Sequence, residues 1–227
     1  MSIRDWPESE RPREKMRLRG PGALSDAELL ALFLRTGTAG ATAVDLARGV
    51  LQHFGGWRAV LESREEDFCA LPGLGLASFS LLQAGQEINR RHLRETLERE
   101  QVFSNPEAVR SFLRANLRHR DREVFVALLM DSQHRLIHYD ELFLGTVDSA
   151  SVFPRELVKI VLQHNAAAII VAHNHPSGIN EPSQADCLIT ERIQQALALI
   201  GVRLLDHLIV GSGEEVSLAE RGLLKGA

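Results

Sequence analysis

The sequence predicts an α/β domain, with helices covering a mixed sheet, preceded by a small all-α domain. Three observations lead there. Residues 1–100 carry helical apolar spacings and helix caps but no strand pattern. Residues 101–227 alternate short apolar runs of strand type with helical stripes. Between them lies a charge-rich run, Asn89–Glu100, with no apolar stripe, which predicts an exposed helix end and a linker near residue 101. A chain of 227 residues is long enough for two small domains or one large one.

In the first region, Ser25 and Glu28 have capping-box spacing ahead of a helix over Ala27–Leu34, which Gly37 stops. Thr42–Phe54 has apolar residues at Val44, Ala47, Val50, Leu51 and Phe54 and is closed by Gly55 and Gly56. Leu76–Leu97 is a third helical stretch. The first twenty residues set Arg4, Arg11, Arg13, Lys15, Arg17 and Arg19 against Asp5, Glu8, Glu10 and Glu14, and read as a solvated arm.

In the second region, Glu123–Asp131 and Arg135–Phe143 read as strands joined in a hairpin through Ser132–His134. Pro154 suits the first turn of a helix striped by Leu157, Val158, Val161 and Leu162, which Asn165 can close. Ala166–Ala172 is too short and too apolar for a surface helix and predicts a central strand. A polar loop leads to a helix from about Ser183 to Ile200, stopped by Gly201. Val202–Val210 is the last strand, and a short helix is expected after it.

Composition narrows the function. Residues 1–100 hold 14 basic and 15 acidic side chains, and residues 101–227 hold 12 and 15, so neither half has the excess of a strong polyanion binder. Two distant cysteines, Cys69 and Cys187, argue against a disulfide framework and for a reducing compartment. No secretory signal or membrane-length apolar run is present, so a cytoplasmic location without membrane attachment is expected.

The chemistry concentrates at His173-Asn174-His175-Pro176-Ser177-Gly178, where the predicted central strand ends. Residues two apart in extended chain point to one face, so His173 and His175 can converge at the sheet edge, where ligand sites in α/β folds lie. Two neutral imidazoles on one face begin a zinc site, and Asp186, at the start of the next helix, can add a carboxylate. Three protein ligands leave one position open, the arrangement of catalytic rather than structural zinc. Ser183 and Asp186 alone would be explained by an ordinary helix cap. Capping does not explain two histidines two apart at the exit of a buried strand. Cys187, next to Asp186, is turned away on a helix and is expected to face the core.

The run His173-x-His175, seven residues, Ser183, two residues, Asp186 resembles the JAMM signature in full. With the flanking HNHPSG, Pro154-Arg155-Glu156 and Asp206-His207, almost the whole chain is similar to the RadC family. The resemblance implies a JAMM/MPN-type, cytidine-deaminase-like sheet over residues 101–227 behind a helical domain over 1–100. It also implies a zinc metalloprotease with one Zn2+ per chain, held by His173, His175 and Asp186. A glutamate from an earlier strand would be the general base, and Ser183 would stabilise the oxyanion. Glu123 best matches that glutamate, with Glu141 and Glu156 as rivals. The implied reaction is peptide or isopeptide hydrolysis on a protein or peptide substrate. Asp206 and His207 could orient a ligand histidine, or could simply be a satisfied polar pair at a strand end.

A rival class is a DNA-binding accessory of repair or recombination with a regulatory or non-catalytic zinc domain. Leu71-Pro72-Gly73-Leu74-Gly75 resembles a helix-hairpin-helix element near 71–85, in which Gly73 and Gly75 would present backbone N–H groups to phosphate. The following Leu76–Gly85 has no Lys or Arg, so packing or partner docking is the stronger expectation for this element. A zinc deaminase is disfavoured because H-x-E and P-C-x-x-C are absent. An HNH nuclease is disfavoured because its letters are spaced further apart. The sequence does not set the oligomeric state.

Overall fold

The computed structural model describes residues 3–102, 105–144 and 154–224. The chain forms two compact units, Met1–Asn89 and Arg90–Ala227. The division falls inside the helix that spans residues 76–99.

The first unit is all-helical: α1 (Pro12–Arg19), α2 (Asp26–Leu34), α3 (Ala43–Phe54), α4 (Trp57–Leu61), α5 (Glu65–Cys69) and the start of α6 (Leu76–Arg99). Ser25 caps α2 and Thr42 caps α3, each in a complete capping box with Glu28 and Asp45 respectively. Leu30, Ala47, Val50, Phe68 and Leu82 fill the core of this unit. The N-terminal segment is not the solvated arm its charges suggest. It forms α1, Ile3 and Trp6 pack on the core, and Lys15 Nζ pairs with Glu28 at 2.8 Å. Three apolar anchors (Ile3, Trp6 and the buried Pro12) outweigh the surrounding charges.

The second unit is built in layers. Its sheet runs β2-β1-β3-β4-β5, with β1 (Val124–Met130), β2 (Leu136–Leu144), β3 (Ala168–Asn174), β4 (Arg203–Val210) and β5 (Val216–Ser217). Only β3 and β4 pair in parallel, so the sheet is mixed as expected. Strand alternation divides the core in two. Val126, Leu128, Ile170 and Ala172 face α7 (Pro106–Leu117) and the end of α6, while Ala127, Leu129, Ile169 and Val171 face α8 (Pro154–Gln163) and α9 (Gln184–Ala198).

Two expectations fail here. The charge-rich end of α6 does have apolar anchors: Leu97 is 1% exposed and, with Leu93, packs on the α7 side of the sheet. Two leucines four apart suffice to seat a helix edge among charges that face water. After β4 there is no short helix among the described residues, where β5 and a turn take its place; residues 225–227 lie outside them. No helix among the described residues is long and apolar enough to cross a membrane.

Candidate metal centre

Four side chains converge where β1 begins and β3 ends. Ligand-capable atoms of Glu123, His173, His175 and Asp186 all lie within 4.8 Å of one another. His173 and His175 come from β3 and the residue just after it, and their Nε2 atoms are 2.9 Å apart. Asp186 Oδ1 is 3.2 Å from His173 Nε2, and Glu123 Oε1 is 3.9 Å from the same atom. His173 and Asp186 are almost wholly buried, while Glu123 and His175 each keep 17% of the side chain exposed, so the centre opens on one side.

Local folding accounts for the convergence. β1 and β3 are antiparallel with Phe125 opposite His173, which sets Glu123 beside the histidines although 50 residues separate it from His173. Phe125 stacks on the His173 ring with 8° between the planes. The loop after β3 is pinned by His175 N donating to Val210 O at 2.9 Å and Ser212 N donating to Gly178 O at 2.8 Å. Gly178 has φ +82°, and a Cβ there would collide with Ser212 Oγ, so this turn requires glycine. The turn brings Ser183 and α9 back over the end of the strand.

Ser183 is the N-cap of α9. Its hydroxyl accepts from Asp186 N at 3.1 Å and donates to Asp186 Oδ2 at 2.7 Å, and Ser183 N also donates to Oδ2. Asp186 is therefore both cap partner and member of the cluster: Oδ2 takes the cap bonds and lies 3.6 Å from His175 Nε2, while Oδ1 faces His173. Burial raises the Asp186 carboxyl, but its bonds to His173, His175 and Ser183 more than reverse this and hold it far below the usual carboxylate range. The bond to Asp186 raises the His175 pKa, against the effect of burial.

The donor set suits a cation. His175 Nδ1 lies 2.6 Å from Ile179 O, an acceptor only, so that nitrogen carries a proton and Nε2 is the nitrogen turned to the cluster. A second imidazole nitrogen and a carboxylate oxygen face the same point. Such a group of nitrogen and oxygen donors fits a divalent metal.

The rival glutamates are engaged elsewhere. Glu141 pairs with Arg120, and Glu156 pairs with Lys159 at 2.9 Å on an exposed face. Cys187 is a half-buried free thiol outside the cluster. The Asp206-His207 pair splits. Asp206 accepts from His207 N, Ala219 N and Ser217 Oγ, which ties down the C-terminal turn, and burial raises its pKa. His207 is fully buried, with Nε2 2.8 Å from His173 Nδ1 and Nδ1 2.6 Å from Thr190 Oγ1. Gly73 and Gly75 belong to the first unit. Gly73 has φ +85°, and a Cβ there would meet Thr38 Cγ2, while Gly75 N donates to Ser78 Oγ at 3.3 Å.

Three contributors escaped the sequence reading: Phe125, Thr190 and Asn174. Asn174 lies between the two histidines, so alternation turns it to the opposite face of the strand. There it is 2% exposed, accepts from Val124 N at 2.8 Å, and donates to Arg120 O at 3.2 Å and Arg122 O at 3.1 Å. Two of the three had signals in the sequence, Asn174 from period-two alternation and Thr190 from its place four residues after Asp186 on α9.

Comparison with known proteins agrees with the geometry. Residues 103–223 match the family model described as RadC-like JAB domain, and residues 3–80 match the one described as UPF0758 N-terminal. A UPF0758 protein of Marinomonas sp. (strain MWYL1) is 60% identical over 224 residues, covering 99% of this chain and 100% of the relative. A UPF0758 protein of Aeromonas hydrophila is 59% identical over 224 residues with the same coverage, and one of Saccharophagus degradans is 59% identical over 222 residues, 98% of this chain and 99% of the relative. By its domains and its full-length relatives alike, the chain belongs to the RadC-like family of UPF0758 proteins.

Proposed function

We propose that the protein is a zinc-dependent metallohydrolase, a peptidase or isopeptidase acting on a protein or peptide substrate. The observation that carries this is the convergence of Glu123, His173, His175 and Asp186 at the open edge of a JAB-type sheet. His173, His175 and Asp186 would hold the metal, one ion per chain. Bound zinc would supply Lewis-acid polarisation of the carbonyl and lower the pKa of an attacking water toward ~7.

The remaining roles fall to the chain's own groups. Glu123 lies at the exposed side of the cluster, placed to orient the attacking water, take its proton at a carboxylate oxygen and return it to the leaving amine. Ser183 would turn its hydroxyl proton from Asp186 Oδ2 toward the oxygen on which charge develops. Asp186 would keep its backbone cap bond from Ser183 N during that turn. A peptide substrate is favoured over DNA because the clustered groups suit amide hydrolysis, whereas close packing against Thr38 already accounts for Gly73. The two free cysteines fit a cytoplasmic setting.

The test is metal content and hydrolysis together. Elemental analysis should find about one zinc per wild-type chain, lost in His173→Ala and Asp186→Ala with the fold retained. Glu123→Gln should keep the zinc and lose cleavage of a peptide library read by mass spectrometry. A wild-type protein that holds no metal and takes up none on adding zinc would overturn the proposal.

A further inference from the structure

We propose that Thr190 and His207 form a hydrogen-bonded relay that holds a proton on His173 Nδ1, so that Nε2 is the nitrogen His173 offers to the metal centre. The inference rests on reading His173 as a metal ligand, and it names two positioning residues for that site. Thr190 sits on α9 one turn after Asp186, His207 on β4 and His173 on β3, and none is more than 2% exposed. Bulk solvent therefore has little access to these three side chains.

The direction of the relay follows from counting protons. The Thr190 hydroxyl lies 2.5 Å from Asp186 O, a carbonyl that can only accept. At that distance the single hydroxyl proton must lie between the two oxygens, because two sets of lone pairs would repel. Thr190 Oγ1 can then only accept from His207 Nδ1, 2.6 Å away, so that nitrogen carries the ring proton. His207 Nε2 is left with a lone pair and must accept from His173 Nδ1 at 2.8 Å. His173 thereby carries a proton on Nδ1, and Nε2 is the nitrogen turned to the space shared with His175 Nε2 and Asp186 Oδ1.

The relay begins and ends on one residue. Asp186 anchors it through its backbone carbonyl and shares the metal centre through its carboxylate, so α9 sets the carboxylate and the neighbouring imidazole together. Phe125 holds both rings in place, stacked on His173 and edge-on to His207 with centroids 5.4 Å apart. Partners of this kind, which orient a ligand histidine from behind, typically affect metal affinity by about 10–100-fold.

The experiment uses the full chain, stripped of metal and labelled with 15N at histidine. Long-range proton–nitrogen correlation should show His173 protonated on Nδ1 in the wild type and a mixture of tautomers in Thr190→Val. Competition with a chromophoric chelator should then show zinc affinity about 10–100-fold weaker in Thr190→Val and His207→Leu, with wild-type affinity in Thr190→Ser, which keeps the hydroxyl. A wild-type His173 with no proton on Nδ1 would overturn the relay, as would unchanged zinc affinity in a folded Thr190→Val. If His207→Leu does not fold, the wild-type tautomer and the Thr190 pair still decide. If the wild type takes up no zinc, the metallohydrolase reading falls, while the tautomer in the metal-free protein still shows whether the relay exists.

Discussion

Asn174 Oδ1 accepts the backbone amide of Val124 at 2.8 Å, tying the residue between the two histidines to the residue after Glu123. With the two bonds from its amide nitrogen to Arg120 O and Arg122 O, one buried side chain holds the backbone on both sides of the proposed general base. Truncation would leave these groups without that partner, at about 1–3 kcal/mol for each one that stays buried and unsatisfied. Asn174→Ala is expected to lose about 3 kcal/mol in urea unfolding and to lower hydrolysis by more than the unfolded fraction explains, with zinc content unchanged. Wild-type stability would show that this segment is held by something else.

Ser183 has a capping duty and a proposed catalytic one, and the two differ in size. Loss of an N-cap costs about 1 kcal/mol. Loss of an oxyanion donor costs about 10²–10³ in rate. Ser183→Ala should therefore show a small stability loss and a rate loss of that order, while Ser183→Thr retains most of both. A rate that falls only in step with the folded fraction would leave Ser183 as a cap alone.

Leu97 tests the placement of the end of α6. At 1% exposure, Leu97→Ala should destabilise the second unit by about 3 kcal/mol through lost burial and the cavity left behind. Leu188→Ala, on a residue 51% exposed, should cost under about 0.5 kcal/mol. Equal unfolding midpoints for the two variants would contradict the packing of Leu97.

Arg114 grips Glu215 with two bonds, Nε to Oε1 at 2.7 Å and Nη2 to Oε2 at 2.6 Å, and the Glu215 side chain is only 1% exposed. Arg114→Met would strand a buried carboxylate. For fully buried pairs that costs about 3–5 kcal/mol. With Arg114 36% exposed, solvent screening reduces the expected loss to about 2 kcal/mol, read by thermal unfolding. No change in the unfolding midpoint would show that the pair contributes nothing net.

His138 and His164 stack with ring centroids 4.0 Å apart. Burial first, and then the His164 charge, hold the His138 pKa below its ordinary 6.5; Asp140 opposes this and Arg94 adds to it. A depressed histidine takes up its proton later in the folded state than in the unfolded one. Its contribution is therefore full above about pH 6.5 and is lost as pH falls below that value. Denaturation curves from pH 7 to 5 should show a shallower loss of stability in His138→Phe than in the wild type, and parallel losses would remove His138 as a cause.

The grouping of His173, His175 and Asp186 was legible because its signals are local. Two histidines at period-two spacing and a capped carboxylate on the next helix need no long-range information. Glu123 could be ranked from sequence only by resemblance, since register between β1 and β3, not spacing, sets it beside His173. The failures were of two kinds. Helix α7 was missed although Asn105, Pro106 and the stripe Val109, Phe112, Leu113 and Leu117 announce it. The N-terminal segment and the end of α6 were misjudged for a deeper reason. Charge density was read as solvation, whereas a few apolar anchors decide the packing while charged side chains turn outward.

The double employment of Ser183 and Asp186 bears on how relatives of this chain should be judged. Capping gives selection a reason to keep both residues whether or not any metal is bound. A descendant that had abandoned catalysis would still carry the S-x-x-D tetrad, held there by the helix. Retention of those two positions is thus poor evidence of a living enzyme, and the informative positions are those outside the cap. Glu123 and His175, the partly exposed members of the cluster, are where decay would first become visible.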